Sequence, residues 1–146
     1  MNNLFRGVHM NKAQMAFKAV DGICYPTQNM MKFPDVVSKR DISYGEHSMN
    51  KMDFYYRKDI LNDGQRHPGI LYIHGGGFIM GDKKCRVSIS EYYADKGYFV
   101  CCLNYRMPPE VSFPEITHDF VNGFNYIKKL SEKYNIDLDN VFVTGD

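Results

Sequence analysis

The chain has 146 residues, 44% of them hydrophobic and 24% charged, which is typical of one ordinary globular domain and argues against a disordered tail. Its formal net charge is +1, with Lys and Arg interleaved among Asp and Glu, so we expect no basic face and no nucleic-acid partner. The N-terminus lacks the pattern of a secretory signal and no apolar run approaches the length of a membrane span, so we predict a cytoplasmic protein without membrane insertion.

Residues 1–35 differ in character from the rest of the chain. They are rich in Met and Asn, and an amphipathic stretch over residues 13–20 predicts a helix, followed by a linker that contains prolines. Two interpretations of this helix are open: packing against the main domain, or a mobile cap over a pocket, since methionine side chains adapt to irregular apolar surfaces. We therefore divide the chain into a cap-like segment (1–35) and a main domain (36–146).

Five segments of the main domain are predicted to be strands. Val36–Tyr44 and Met52–Arg57 have the half-exposed pattern of an antiparallel pair at the edge of a sheet. Three nearly continuous apolar runs are typical of strands covered on both faces, as in a parallel sheet: Ile70–Ile73, Tyr98–Leu103 and Val141–Val143.

Two helices are predicted between these apolar runs. The first covers Ser88–Lys96 and ends at Gly97, a common C-terminal cap. The second covers Glu115–Tyr134, where apolar side chains recur at helical spacing, and Ser112 has the spacing of a capping box with Glu115. The alternation of strands and helices predicts an α/β fold with a mostly parallel sheet, an antiparallel edge, right-handed crossovers and helices on both faces.

The cysteines show no spacing typical of a metal or redox site. Cys101 and Cys102 are adjacent in a predicted strand, where successive side chains point to opposite faces of the sheet. We expect these residues, together with Cys24 and Cys85, to be reduced thiols, and we predict no metal site and no cofactor.

A run of glycines follows the first buried strand, in the segment LYIHGGGFIMGDK. Glycines weaken regular structure, so a loop that keeps Gly75, Gly76 and Gly77 at the end of a strand is expected to bring its backbone close to another group. One such need arises in acyl transfer, where bare backbone N–H groups stabilise the oxyanion of the transition state. A glycine-rich turn or an anion-binding nest would use the same residues, so this loop alone leaves the function open.

Three further segments occur with this loop in a fixed order. They are Gly81-Asp82-Lys83, the segment NYRMPPEVSFP over residues 104–114, and NVFVTGD over residues 140–146. With HGGGF they resemble the N-terminal half of an α/β-hydrolase of the hormone-sensitive-lipase and carboxylesterase type. In that family an HGGG loop after the third strand supplies part of the oxyanion hole, and the nucleophile follows the fifth strand on a G-x-S-x-G turn. The resemblance covers residues 36–146.

The resemblance implies a serine-dependent hydrolase of carboxylic esters that acts on a small-molecule ester substrate. It makes Gly76 and Gly77 the oxyanion donors, with His74 and Gly75 as support for the loop. The resemblance leaves the acyl and alcohol groups of the substrate open, as well as the choice among ester, lactone and arylformamide hydrolysis.

The resemblance also implies that Gly145 and Asp146 are the first two residues of the nucleophile turn. The catalytic Ser, Asp or Glu, and His would then all lie beyond Asp146. The 146-residue chain alone is therefore expected to be inactive.

Other polar residues are given structural roles. Arg106 and Asp119 carry charges that would orient the loop as a pair near the site, and a plain exposed ion pair is the alternative. We expect no triad role for the remaining histidines, because the family's histidine follows the nucleophile: His9, His47, His67 and His118. We exclude three serines as nucleophiles, because none of them lies on a strand-to-helix turn flanked by glycines: Ser88, Ser90 and Ser112.

Two other classes of function compete with the enzyme. One is a non-catalytic member of the same fold that binds a small ligand in the pocket, and the other is a short interaction module. The codon that follows Asp146 in the gene separates the three classes. A serine codon favours the enzyme, a codon for another residue favours the ligand-binding protein, and a stop codon favours the interaction module.

Overall fold

The computed structural model describes Met15, Ala19, Pro26 and residues 30–146. The predicted helix over residues 13–20 lies outside the described residues except for Met15 and Ala19, so its role as a cap stays a prediction. Cys24 and His9 also lie outside them.

The main domain contains five strands, which are β1 (Val36–Ser43), β2 (Lys51–Arg57), β3 (His67–Ile73), β4 (Phe99–Leu103) and β5 (Ile136–Gly145). The connections between the strands contain two helices, α1 (Val87–Asp95) and α2 (Phe113–Leu130), and two 3-10 turns, Asp59–Leu61 and Lys83–Arg86.

The strands form one mixed sheet in the order β1-β2-β4-β3-β5. Strand β2 is antiparallel to both β1 and β4, whereas β3 is parallel to both β4 and β5. The carboxyl ends of the three parallel strands therefore meet at one edge of the sheet, which is where α/β proteins bind their ligands. The predicted α/β fold with an antiparallel edge is confirmed.

The two helices cover opposite faces of the sheet because successive strand residues alternate between the faces. On one face, Leu71 and Leu103 pack in a cluster with Ile127 of α2. On the other face, Tyr72 packs in a second cluster with Ala94 of α1. The sheet thus has a layer of apolar side chains on each side, and the glycine loop after β3 is attached to a strand that is buried on both faces.

Cys101 and Cys102 follow the same alternation, with one thiol in each of these two clusters, as predicted. Both are fully buried and neither forms a disulfide. Burial raises the pKa of the Cys102 thiol to about 12, so this thiol is protonated and unreactive at neutral pH. Among the described residues there is no group of three or more His, Cys, Asp or Glu side chains that could hold a metal ion.

Strand β5 differs from its prediction in two ways. It begins at Ile136 instead of Val141, because the first residues of β3 also pair with it. The prediction that its apolar run is covered on both faces is wrong, since Phe142 is 53% and Val143 62% exposed. The cause is its position: among the described strands, β5 pairs with β3 alone and forms one edge of the sheet.

Helix α2 begins at Phe113 and ends at Leu130, a turn before the predicted end. The predicted capping box is present, and the Ser112 N–H donates to the Glu115 carboxylate at 2.7 Å. After Leu130 the chain continues in turns, and Asn135, with a left-handed φ of 53°, directs it into β5. In the part of the chain that the structure describes, neither helix combines the length and apolarity that a membrane crossing requires.

Candidate active site

The glycine loop leaves the carboxyl end of β3 with an unusual backbone. Three successive residues have positive φ angles: 131° at Gly76, 63° at Gly77 and 61° at Phe78. Residues with a Cβ rarely adopt such angles, so the glycines permit a turn that other residues would resist. All three residues are exposed at the surface.

Close packing requires two of the glycines to lack a side chain. A Cβ on Gly75 would lie 2.4 Å from a main-chain oxygen of Asp146, and one on Gly76 would lie 2.0 Å from the carbonyl oxygen of Met80. Gly77 differs, because no atom other than those of its chain neighbours lies within 4 Å of its Cβ position. The loop therefore packs against the end of β5 through Gly75 and against itself through Gly76.

The three backbone N–H groups of this loop fall into two classes. The Gly75 N–H donates to Asp146 Oδ1 at 3.1 Å. The N–H groups of Gly76 and Gly77 have no acceptor within the described part of the chain. These two donors are thus available to a ligand, whereas that of Gly75 is already used.

A cleft of about 470 Å³ lies beside this loop at the carboxyl edge of the sheet. Gly77 lines the cleft, and Gly76 does not. The other lining residues come from the ends of β3 and β5, the start of the loop, the segment after β4 and helix α2: Ile73, His74, Gly75, Phe78, Tyr105, Phe120, Val143, Thr144, Gly145 and Asp146. The structure therefore brings the glycine loop and the end of NVFVTGD to one place.

The His74 side chain is buried at the base of the loop, with 1% of its surface exposed. Its Nδ1 lies 2.9 Å from the Gly75 carbonyl oxygen, so Nδ1–H donates there, and its ring stacks on Tyr105 with 4.5 Å between centroids. Burial lowers the pKa of His74, which keeps the ring neutral at physiological pH. Its Nε2 has no partner among the described groups.

Each residue of the Asn-Tyr-Arg segment holds a different part of the site. Asn104 Oδ1 accepts a hydrogen bond from the Lys83 N–H at 2.7 Å. The Tyr105 hydroxyl donates to the His74 carbonyl oxygen at 3.0 Å. The Arg106 guanidinium binds the Asp119 carboxylate through Nη2 at 2.7 Å and Nε at 2.9 Å.

The Arg106–Asp119 pair is not the plain exposed ion pair of the alternative interpretation, because Asp119 is only 1% exposed. Asp119 also accepts the Arg106 backbone N–H at 2.9 Å. Burial alone would raise the pKa of this carboxyl, but the hydrogen bonds and charge of Arg106 outweigh burial and lower it. The pair therefore links α2 to the segment that follows β4.

Asp146 is held by a cation that the sequence does not single out. Arg86 donates to its carboxylate through Nε at 2.8 Å and also through Nη2. The pKa of Asp146 is lowered, because the Arg86 hydrogen bonds and charge and the Gly75 N–H outweigh the opposing effect of burial. Asp146 thus connects Arg86 to the glycine loop. The only sequence signal for this role of Arg86 is its proximity to the Gly-Asp-Lys segment.

The other sequence candidates lie away from the cleft. His47 pairs with Glu110 at 2.9 Å and His67 with Asp63 at 2.8 Å, while His118 is exposed on α2. The serines that the sequence excludes as nucleophiles lie in or next to a helix, and none lines the cleft: Ser88, Ser90 and Ser112.

A mixed sheet of this order, with a glycine loop after β3 and a cleft at the carboxyl ends of the parallel strands, defines an α/β-hydrolase-type protein. The chain belongs to the BD-FAE family, whose model matches residues 52–146.

Proteins similar in sequence include named esterases. A probable isoprenylcysteine alpha-carbonyl methylesterase of Arabidopsis thaliana is 25% identical over 107 residues, which cover 73% of this chain and 22% of that protein. An ethyl acetate hydrolase of Pseudomonas putida is 30% identical over 78 residues, which cover 53% of this chain and 24% of that protein. The chain thus spans about a quarter of the length of these relatives.

The fold is also found in solved esterase structures. Esterase B from Lactobacillus rhamnosis superposes with a TM-score of 0.79 at 24% sequence identity. The match covers 92% of this chain and 42% of that esterase. At this level of identity the likeness shows a shared fold, that of the N-terminal part of an α/β-hydrolase.

Proposed function

We propose that this chain supplies the oxyanion-stabilising loop of a serine-dependent carboxylic-ester hydrolase. The observation that carries the proposal is the pair of backbone N–H groups on Gly76 and Gly77, which no described acceptor uses. They project from a positive-φ turn beside a cleft at the carboxyl ends of β3 and β5. A solvent-facing turn with no role would not need close packing at Gly75 and Gly76.

These donors suit the charge that develops in ester hydrolysis. When a nucleophile attacks the ester carbonyl, its oxygen becomes negatively charged, and backbone donors at about 2.7 to 3.1 Å stabilise that oxyanion. Because the loop is packed against β5 and against itself, its N–H groups are held in place before the substrate binds. Gly75 contributes the close approach to Asp146 and no donor of its own.

We place the nucleophile on the residue that follows Asp146 in a longer protein. Asp146 lies against the glycine loop, with a main-chain oxygen 2.4 Å from the position that a Cβ on Gly75 would take. A serine one residue further along would begin beside Gly75, at the start of the loop that carries the Gly76 and Gly77 donors. Arg86 and the Gly75 N–H, through the Asp146 carboxylate, would then fix the turn that carries the serine.

The relatives support the substrate class. By their names, the Arabidopsis relative removes a methyl ester and the Pseudomonas relative hydrolyses ethyl acetate, and both bonds are carboxylic esters. We therefore propose small-molecule carboxylic esters as substrates. The largely apolar walls of the cleft, such as Phe78, Phe120 and Val143, suit an acyl or alkyl group.

The test uses the full-length protein with p-nitrophenyl acetate and p-nitrophenyl butyrate. We expect turnover that a fluorophosphonate abolishes, with one covalent adduct on the residue after Asp146 when peptides are mapped by mass spectrometry. Replacing the labelled serine by alanine serves as the matched control and removes both turnover and label. Turnover that resists the fluorophosphonate, or an adduct elsewhere, contradicts the proposal.

A further inference from the structure

Lys83 is an unusual lysine, because its side chain is only 2% exposed. Its Nζ lies 2.6 Å from Asp41 Oδ1 and 2.7 Å from Asp53 Oδ1. The Asp53 side chain is itself fully buried on β2. Lysine is almost never buried unless it is paired, so these two carboxylates are what keep the ammonium in the interior.

The backbone of β1 is shaped to present one of these carboxylates. The pairing of β1 with β2 shifts register between Lys39 and Ile42, and Asp41 within this bulge has a φ of 57°. The Asp41 N–H donates to Asp53 Oδ1 at 2.8 Å. A bulge redirects a side chain, and here it brings the Asp41 carboxylate to Lys83.

The same lysine is the last residue of the segment that begins with the glycine loop at Gly75. Its backbone N–H is fixed by Asn104, and two residues earlier Gly81 packs so tightly that a Cβ would lie 2.2 Å from the Gly75 carbonyl oxygen. The Met80 carbonyl oxygen packs in turn against Gly76. The segment from Gly75 to Lys83 is therefore closed on itself, and a displacement at one end is transmitted to the other.

We propose that the buried ion cluster of Lys83, Asp53 and Asp41 is a positioning device that fixes the glycine loop against the antiparallel pair β1–β2, and that Lys83 is its positioning residue. The proposal rests on the proposed function, because it assigns the cluster to the placement of the Gly76 and Gly77 donors. Lys83 contacts no substrate. Its effect is to hold the far end of a loop whose near end is held by His74 and Tyr105.

The test uses full-length protein that carries Lys83→Met and Asp53→Asn together. This pair of substitutions removes the ionic link without leaving a buried charge, and the side-chain amide introduced by Asp53→Asn keeps an acceptor for the Asp41 N–H. The matched control is Lys84→Met, the neighbouring lysine, whose side chain is 64% exposed. Turnover of p-nitrophenyl butyrate is measured per active site, as counted by fluorophosphonate titration, and the melting temperature is recorded for each variant.

We expect kcat per active site to fall about tenfold or more in the double variant while KM stays within about twofold, since a shifted donor acts on the transition state. Lys84→Met leaves both constants unchanged. A folded double variant with kcat within about threefold of the parent overturns the positioning role, whereas a parent without fluorophosphonate-sensitive turnover overturns the proposed function itself.

If the double variant does not fold, a milder variant tests the positioning role of the ion cluster. Asp41→Asn removes the carboxylate whose side chain is 68% exposed and leaves the buried Lys83–Asp53 pair intact. We expect a smaller fall in kcat, with KM unchanged. A variant with the kcat of the parent contradicts the proposal.

Discussion

Gly77 and Gly64 form a matched pair of left-handed glycines, with φ of 63° and 74° and, their chain neighbours aside, no atom within 4 Å of either Cβ position. Alanine disfavours this left-handed region by about 1 to 2 kcal/mol, so the substitution drives the backbone at either position away from its present angle. Only Gly77 lies at the cleft. In the full-length protein we expect Gly77→Ala to lower kcat by about tenfold by turning the N–H away from the oxyanion, while Gly64→Ala leaves kcat unchanged.

Gly76→Ala is expected to be more damaging than Gly77→Ala, because its Cβ would lie 2.0 Å from the Met80 carbonyl oxygen and the loop must move. Loss of one oxyanion donor typically lowers kcat by about 10²- to 10³-fold. Steady-state kinetics with a circular-dichroism check of folding measure this effect. If the alanine variants of Gly76 and Gly77 both fold and keep kcat within about threefold of the parent, the loop is only a turn.

The Arg106–Asp119 pair predicts a stability that depends on pH. The pKa of Asp119 is lower in the folded protein than in the unfolded chain. Asp119 therefore contributes to the free energy of unfolding above the ordinary Asp pKa of about 3.9, and this contribution is lost as the pH falls through the folded pKa. Asp119→Asn is expected to cost about 2 kcal/mol in urea unfolding at pH 7, and the difference from the parent should shrink at pH 3.

The control for this prediction is Asp59→Asn, which breaks the pair with Arg57. Asp59 is 60% exposed there, so its loss is expected to change the free energy of unfolding by less than about 1 kcal/mol. Equal effects of the two substitutions at pH 7 would contradict the prediction, because they would show that the buried Asp119 pair stabilises the fold no more than an exposed pair does.

Residue-scale features could be predicted where they depend on local chemistry. The backbone roles of the glycine run and of the Ser112 capping box can be predicted from the sequence, because both depend on residues within a few positions along the chain. Lys83 could not be recognised as buried, since a lysine in a polar segment is normally exposed and its partner Asp41 lies 42 residues away along the chain. The resemblance matched the Gly-Asp-Lys segment without showing what it does.

At the scale of secondary structure, β5 presents the least protected surface of the sheet. Its outer backbone edge has no described partner, and Phe142 and Val143 are more than half exposed. An apolar edge strand is a site for pairing between chains. We expect the 146-residue chain to self-associate and Val143→Lys to reduce that association, as measured by light scattering after size-exclusion chromatography.

Val121→Lys is the matched control for the edge strand. Val121 is 57% exposed, close to the 62% of Val143, but it lies on helix α2, where no backbone edge is open. The helix variant should associate as the parent does. A parent chain that runs as a single monomer with a sharp thermal transition would contradict the edge argument.

The strands and helices were predictable to the extent that their side chains are buried. Strands β3 and β4 are continuous apolar runs because both lie inside the sheet, with neighbours on each side. The first half of β5 was missed because it contains Asp137, Asp139 and Asn140, and polar residues of these types are uncommon in strands. Its pairing with His67 and Pro68 of β3 is a long-range contact that no local pattern records.

At the scale of the whole molecule, the chain provides donors and a cleft, and the described serines offer no nucleophile next to them. Donors alone can stabilise an oxyanion, but without a positioned serine and base the covalent route is closed. We therefore expect the 146-residue chain to show no hydrolysis of short p-nitrophenyl esters above a buffer blank and no fluorophosphonate adduct, while the full-length protein shows both. The comparison must be made at equal folded concentration, since association through β5 would itself lower any rate, and Val143→Lys provides the less associated form. An adduct on any serine between residues 30 and 146, together with turnover that it blocks, would place the nucleophile inside this chain and would refute its assignment to the residue after Asp146.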